Sequence, residues 1–186
     1  MDNGAIYYRR YLDGDEQAFD ELIRLYHDGL IFFIQRTVHD QMLAEDLAED
    51  CFVELIVHPH RYNFRTPLKT YLYAIAHHKS VDAVRKKIRR RTDPLEECTD
   101  LPPDTSPTPE QALLTSERDK ALHRALEQLH AEYREVLHLL YFEELSYEDA
   151  ARVMRKNKKQ IENLAYRGRK ALRTELEKGG FTDEGL

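Results

Sequence analysis

The 186-residue chain has no tryptophan, 7 glycines and two cysteines, and its apolar runs are all short. A membrane-spanning helix needs about 20 consecutive apolar residues, and the opening stretch MDNGAIYYRR lacks the apolar centre of a signal peptide. We therefore expect a cytoplasmic protein without membrane insertion. Cys51 and Cys98 show no CxxC spacing, so the sequence predicts neither a disulfide scaffold nor a zinc site.

Charge is abundant in this chain, and it is unevenly distributed. The net charge is −6, yet residues 85–91 (RKKIRRR) are basic at every position except Ile88. Residues 92–110 hold five of the seven prolines, six acidic residues and no lysine or arginine. A segment of this composition cannot bury a core and is typical of an extended linker. A second basic patch lies beyond this segment, within residues 145–176. Two basic patches joined by an acidic linker are typical of a protein that contacts DNA at two sites.

Apolar residues recur at helical spacing on both sides of the linker, which predicts an all-α protein. The predicted architecture is two small helical domains joined by a flexible, acidic, proline-rich linker, with a helix-turn-helix in the second domain. The predicted boundaries are residues 1–91 for the first domain, 92–110 for the linker, 111–178 for the second domain and 179–186 for a tail.

The first domain is predicted to contain three helices. The first extends from near Asp13 to Val38, the second from Gln41 to Val57, and the third opens at Pro67. The second helix has two apolar rows, and its acidic residues lie away from them. These acidic residues form either a solvated face, which is the usual explanation of a charge run, or a docking surface for a basic partner. The apolar rows are Leu43, Leu47, Cys51 and Leu55, and beside them Ala44, Ala48, Phe52 and Ile56.

Aromatic and basic residues alternate between the second helix and residue 91. This pattern suits the binding of unstacked single-stranded bases, although Tyr71 and Tyr73 also fit a purely structural role in the core. His58 and His60 have no third ligand at metal-binding spacing, so no metal site is predicted. The residues predicted to bind single-stranded DNA are Tyr62, Asn63, Phe64, Arg65, Lys69, Tyr73, His77, His78, Lys79 and Arg85.

Residues 145–176 are predicted to form the helix-turn-helix, with a strongly basic second helix. Ser146 is suited to cap the first helix and Asn157 the second, with Gln160 as its capping-box partner. Lysine and arginine neutralise phosphate, while glutamine and asparagine read base edges in the major groove. A solvated basic face is the alternative, but the capped preceding helix and short turn favour DNA binding. The residues predicted to contact duplex DNA are Lys158, Lys159, Gln160, Asn163, Tyr166, Arg167 and Lys170.

These segments, taken in order, resemble a known family. The stretches GDEQAFDELIRLY, AEDLAEDCFVELI and TYLYAIAHHKSVDAVR resemble the second conserved region of bacterial extracytoplasmic-function (ECF) sigma factors. ALEQLHAEYREVLHLLYFEELSYEDAARVM and QIENLAYRGRKAL resemble the fourth region. The resemblance covers nearly the whole chain, from about Gly14 to Leu176.

The resemblance implies a transcription initiation factor that binds core RNA polymerase and directs it to promoters, without catalysis or a cofactor of its own. Asp46, Glu49 and Asp50 would dock on the polymerase clamp helices. The loop from His60 to Arg65 and the start of the third helix would capture an unstacked base of the −10 element. The helix from Asn157 would read the −35 element as duplex DNA, and an anti-sigma factor is an expected partner.

The chain departs from the family at four positions. Tyr71 stands where tryptophan is common, and His78 stands where asparagine is common. Arg155 and Lys159 each replace a frequent glycine. Two other classes stay open from the residues alone: a stand-alone helix-turn-helix repressor or activator, and a metal hydrolase built from the histidines and the acidic helix.

Overall fold

The computed structural model of the protein describes residues 3–92 and 117–179, which form two helical units. Within these ranges every regular element is a helix, so the predicted all-α class is confirmed. Most of the predicted linker, apart from Thr92, and the tail beyond Gly179 lie outside the described residues. None of the helices in the described part of the chain is long and apolar enough to cross a membrane.

The first unit contains four helices and one short 3₁₀ turn. The predicted second helix has the predicted bounds, because Asp40 caps it by accepting a hydrogen bond of 3.0 Å from the Leu43 amide. The predicted third helix begins at Leu68, one residue after Pro67. The helices are α1 (Asn3–Leu12), α2 (Glu16–Val38), α3 (Gln41–Val57) and α4 (Leu68–Thr92), and the 3₁₀ turn is Pro59–Arg61.

Helix α1 was not predicted from the sequence, which placed the first helix from near Asp13. It packs against α2 at Gly4, where a Cβ atom would overlap the ring and hydroxyl of Tyr26. Glycine therefore permits this close approach of the two helices. Further along α1, Tyr8 is fully buried and its hydroxyl donates a hydrogen bond of 2.8 Å to the Leu55 carbonyl at the end of α3.

The core of the first unit lies among α2, α3 and α4. Ala44, Ala48, Cys51 and Leu55 are buried as predicted, but Ile56, predicted to belong to an apolar row, is 47% exposed. Because every fourth residue of an α-helix advances by about 40°, Ile56 lies about 120° around the helix from Ala44 and has left the buried side.

Over residues 117–179, the second unit contains four further helices. The helix that begins at Ala131 widens into a π-helical turn at its C-terminal end, and the predicted helix-turn-helix is present. The Ser146 hydroxyl caps the first of its two helices by accepting a hydrogen bond of 3.1 Å from the Asp149 amide, as predicted. The helices are α5 (Glu117–Glu127), α6 (Ala131–Leu137) with the π turn His138–Phe142, α7 (Tyr147–Val153) and α8 (Lys158–Lys178).

Helix α8 packs on α6 through a glycine. A Cβ atom on Gly168 would lie 3.3 Å from Leu137 Cγ and 3.4 Å from Tyr133 Cβ, so the two helix backbones approach closely. Ile161 and Ala165 are fully buried on the same side of α8. Because this side faces α6, the opposite side of α8 is left in solvent.

Candidate nucleic-acid interface

One side of α8 is basic, polar and exposed. Lys159, Asn163, Tyr166, Arg167 and Lys170 are all exposed, and the Tyr166 ring retains 64% of its surface. The last four lie four, seven, eight and eleven residues after Lys159, which places all five on one stripe opposite Ile161 and Ala165. We call these five residues the reading face.

Gln160 lies beside the reading face, but its side chain is engaged in the helix cap. Its Oε1 accepts a hydrogen bond of 2.8 Å from the Asn157 amide, and Asn157 Oδ1 accepts one of 2.8 Å from the Gln160 amide. The predicted capping box is therefore confirmed. The cap occupies one lone pair of this oxygen, so Gln160 presents its NH₂ group and the second lone pair to a ligand without opening the cap.

Lys158 also has a partner within its own unit. Its Nζ donates a hydrogen bond of 2.6 Å to Glu148 Oε1 on α7. That hydrogen bond and the charge of Glu148 raise the pKa of Lys158. This ion pair partly neutralises the positive charge that Lys158 offers to DNA. Of the two lysines, Lys159 is therefore the better placed to bind a phosphate.

The turn between α7 and α8 has the geometry of a Schellman cap. The Lys156 amide donates a hydrogen bond of 2.9 Å to the Ala151 carbonyl, and Arg155 has a φ of 52°. This is the position at which the resemblance indicated a missing glycine. Arg155 therefore adopts a left-handed backbone that glycine adopts without steric strain.

The loop between the 3₁₀ turn and α4 contains an aromatic cluster. Residues 62–66, which we call the aromatic loop, are fixed by a 2.7 Å hydrogen bond from the Tyr62 hydroxyl to the Thr66 carbonyl. Asn63 Oδ1 accepts a hydrogen bond of 3.1 Å from the Arg65 amide, and both of these residues are exposed. Phe64 has a φ of 59° and is half-buried.

Two residues predicted to bind DNA lie in the core instead. Tyr73 is 1% exposed, with its ring centroid 5.2 Å from that of Phe33 on α2, and Tyr62 is 4% exposed. A side chain with so little exposed surface cannot contact DNA while its unit keeps this structure, so a direct contact by Tyr62 or Tyr73 is not supported. For Tyr73 this burial agrees with the structural role in the core given above as the alternative. Tyr62 instead shapes the aromatic loop.

The remaining predicted single-strand contacts lie along α4. His78 and Arg85 are exposed, and both approach Asp82, at 3.5 Å and 3.6 Å. Lys79 is half-buried and pairs with Asp50 on α3. Lys69 and His77 are half-buried on the same helix. Because successive helix residues are turned by about 100°, residues 77–79 face three different sides of α4.

Asp46, Glu49 and Asp50, which we call the acidic face, are exposed on the side of α3 opposite its core row. Apolar side chains interrupt this face, with Met42 78% exposed and Val53 49% exposed. Such a mixed surface differs from the purely solvated acidic face that is usual on a surface helix. Within residues 3–92 and 117–179, no group of three His, Cys, Asp or Glu side chains is arranged to hold a metal ion.

Comparison with known proteins gives two matches to one family. Residues 22–90 match Sigma-70 region 2, and residues 119–172 match Sigma-70 region 4. Each match falls on one of the two helical units, and together they span more than half of the chain.

Among similar proteins, the RNA polymerase sigma-H factor of Pseudomonas aeruginosa is 30% identical over 166 residues, covering 86% of each chain. The ECF RNA polymerase sigma factor SigX of Bacillus subtilis is 27% identical over 165 residues, covering 87% of this chain and 85% of the relative. The fold is similar to that of the sigma factor RpoE in its complex with the anti-sigma factor NepR from Bartonella quintana. That match has a TM-score of 0.66 and 23% identity, and covers 86% of this chain and 96% of the other.

The two units, each with its exposed basic surface, define a sigma-type DNA-binding protein. The chain belongs to the sigma-70 family, and within it to the ECF group. It is a promoter-directing transcription initiation factor. The resemblance inferred from the sequence is thereby confirmed.

Proposed function

We propose that the protein directs core RNA polymerase by means of two separate DNA readers, a −10 reader in residues 1–91 and a −35 reader in residues 111–178. The observation that carries this proposal is the reading face of α8, whose five residues are exposed while the opposite side is packed on α6. A capped helix N-terminus beside that face attracts phosphate and orients the helix in the major groove.

For the −35 element, Asn163 is the residue best placed for a base contact. It is exposed at the centre of the reading face, and its amide can form two hydrogen bonds to an adenine edge. Lys159, Arg167 and Lys170 neutralise phosphates around it, and Tyr166 adds apolar contact area. Gln160 contributes its NH₂ group and holds the helix start, while Lys158 is partly neutralised by Glu148.

For the −10 element, the aromatic loop and the exposed side of α4 form the reader. Asn63, Phe64 and Arg65 would hold the unstacked base, while Lys69, His77, His78, Lys79 and Arg85 would follow the phosphates of the single strand. Tyr62 and Tyr73 belong to the framework of this reader because both are buried.

The acidic face of α3 is the proposed site for core RNA polymerase. Three exposed carboxylates interspersed with Met42 and Val53 match a partner surface that is basic and partly apolar. An anti-sigma factor is a proposed second partner, since a protein of similar fold was solved in complex with one. The protein itself acts by binding, and the polymerase carries out the chemistry.

Two substitutions on α8 separate base reading from helix capping. Asn163→Ala should reduce discrimination at one −35 base pair by about 1–3 kcal/mol without loss of stability, because a bidentate base contact has that magnitude. Gln160→Glu keeps an oxygen for the capping box, so helix stability should be retained while the NH₂ donor is lost.

The measurement is transcription from a set of promoters with every single substitution in the −35 element. Unchanged base preference in both variants would exclude α8 as the reader. Loss of preference in Gln160→Glu alone would assign the base contact to Gln160 instead of Asn163.

A further inference from the structure

Helix α1 contacts the aromatic loop through two consecutive residues. The Tyr8 ring lies between the loop and the core, with its centroid 5.9 Å from that of Tyr62 and 6.1 Å from that of Phe64. The Arg9 guanidinium lies over the Phe64 ring, with Cζ 4.7 Å from the ring centroid. No local sequence pattern indicates these contacts, because about 50 residues separate α1 from the loop.

The anchoring of α1 makes it a rigid support. The Tyr8 hydroxyl is bound to the Leu55 carbonyl at the end of α3, and Gly4 fits against Tyr26 of α2 without room for a Cβ atom. Helix α1 is thus attached to both neighbouring helices, and its position relative to the loop is fixed. Arg10, the next residue, points to a different partner, since it forms an ion pair of 2.5 Å with Asp15.

Phe64 needs external support because of its backbone. A left-handed conformation with a φ of 59° is unfavourable for an aromatic residue and persists only where surrounding contacts hold it. The hydrogen bonds of Tyr62 and Asn63 shape the loop backbone, and Tyr62 packs on the Phe64 ring at 4.7 Å. Tyr8 and Arg9 supply the contacts to that ring from outside the loop.

We propose that α1 is a positioning element of the −10 reader: Tyr8 and Arg9 hold Phe64 in the orientation that receives the unstacked base. The proposal rests on the assignment of the aromatic loop as that reader. A loop that is already ordered loses less conformational entropy when DNA binds, so its affinity is higher than that of a loop populating several conformations.

The test compares Arg9→Ala with Arg10→Ala, a matched loss of charge at the next residue of α1. Holoenzyme assembled from core polymerase and the full chain binds a forked promoter DNA that carries 2-aminopurine at the unstacked −10 position. Arg9→Ala should weaken this binding about two- to fivefold, the range expected for an exposed cation–π contact. The affinity of the Arg10→Ala holoenzyme for this DNA should stay close to that of the unsubstituted protein. Arg9→Lys should recover part of the affinity that Arg9→Ala loses.

A spectroscopic measurement distinguishes positioning from direct DNA contact. The chain has no tryptophan, so Phe64→Trp introduces a single indole reporter into the loop. Adding Arg9→Ala should lower the anisotropy of that indole and increase its quenching by acrylamide in the absence of DNA. In Arg9→Ala, the slope of log binding constant against log salt concentration should be unchanged. If Arg9 instead contacted a phosphate directly, its loss would reduce that slope by about 0.7 on single strands.

The outcomes distinguish failure of the role proposed for α1 from failure of the aromatic loop as the −10 reader. If Phe64→Ala leaves −10 discrimination intact, the aromatic loop is not the reader and both proposals are overturned. If Phe64→Ala abolishes discrimination while Arg9→Ala and Arg10→Ala behave alike, the loop assignment stands and the role of α1 is overturned. A reduced salt slope for Arg9→Ala likewise overturns positioning in favour of direct contact.

Discussion

Lys79 Nζ on α4 donates a hydrogen bond of 2.9 Å to Asp50 Oδ2 on α3. Asp50 belongs to the acidic face proposed for polymerase, and Lys79 is one of the residues proposed to follow the −10 strand. The lysine side chain is 26% exposed and the carboxylate 55% exposed, so the pair lies at the border between the two surfaces.

Lys79→Gln and Asp50→Asn should each lower the free energy of unfolding by less than about 1 kcal/mol, since partly exposed ion pairs have that magnitude. Their functional effects should differ. Asp50→Asn should weaken binding to core polymerase, and Lys79→Gln should weaken binding of the assembled holoenzyme to opened promoter DNA. Binding titrations measure both quantities, and identical defects in the two variants would contradict the assignment of separate surfaces.

Arg155→Gly should stabilise the helix-turn-helix. The left-handed backbone at Arg155 costs about 1–2 kcal/mol, and the greater freedom of glycine in the unfolded chain offsets about 0.5–1 kcal/mol of the gain. A net stabilisation of about 0.5–1 kcal/mol should appear as slower hydrogen exchange in α7 and α8. The control is Arg152→Gly, the same substitution inside α7, which should lower the free energy of unfolding because glycine is unfavourable within a helix. Faster exchange in both variants would refute the strain at Arg155.

Cys51 should be unreactive in the folded protein. Burial raises the pKa of its thiol from 9.0 to about 12, so at pH 8 its thiolate fraction is about a thousandfold below that of an ordinary cysteine. In a Cys98→Ser background, alkylation by iodoacetamide at pH 8 should be slow until urea unfolds the chain. Rapid labelling of the folded protein would show that α3 opens readily.

Burial of Cys51 and of Tyr8 predicts how the free energy of unfolding depends on alkaline pH. The pKa of Tyr8 is also raised, from 10.0 to about 12, so both groups stay neutral in the folded state while the unfolded chain ionises them. The unfolded state then binds fewer protons, and its free energy falls relative to the folded state. The free energy of unfolding should therefore be unaffected by these groups below about pH 9 and decline from there to about pH 12. Tyr8→Phe should reduce the decline in urea titrations.

Gly4→Ala should loosen α1. The added Cβ atom would overlap the Tyr26 ring, and overpacking of this kind typically costs about 1–3 kcal/mol. Hydrogen exchange of the α1 amides should accelerate while exchange in α5 to α8 is unchanged. Ile6→Ala is the control, because Ile6 is 44% exposed and its truncation should cost about 0.5 kcal/mol or less. Equal effects of the two substitutions would mean that Gly4 has no special packing role.

The local features of the fold were predictable from the sequence. Asp40 begins α3 where the apolar pattern starts, and Asn157 with Gln160 marks the start of α8 by a reciprocal cap. These signals act within one or two helical turns, so they can be read from neighbouring residues. Helix α1 was missed because it is short, at 10 residues, and because the groups that hold it, Tyr26 and the Leu55 carbonyl, are distant in sequence.

The candidate site was predictable in its composition but not in its contacts. The basic side of α8 and the acidic side of α3 follow from helical periodicity alone. Which aromatic residues are buried depends on tertiary packing, so Tyr73 was assigned to DNA although it packs on Phe33. The pairing of Asp50 with Lys79 and of Arg9 with Phe64 also arises from packing between helices, for which no local pattern exists.

The most direct test of the account is transcription of fragmented genomic DNA from the source organism by core RNA polymerase with and without the purified protein, followed by mapping of the 5′ ends. The account predicts discrete new start sites that share two upstream elements, with base preference at one position of the upstream element lost on Asn163→Ala. An absence of new start sites, together with tight binding of the protein alone to duplex DNA, would contradict it and favour a stand-alone regulator.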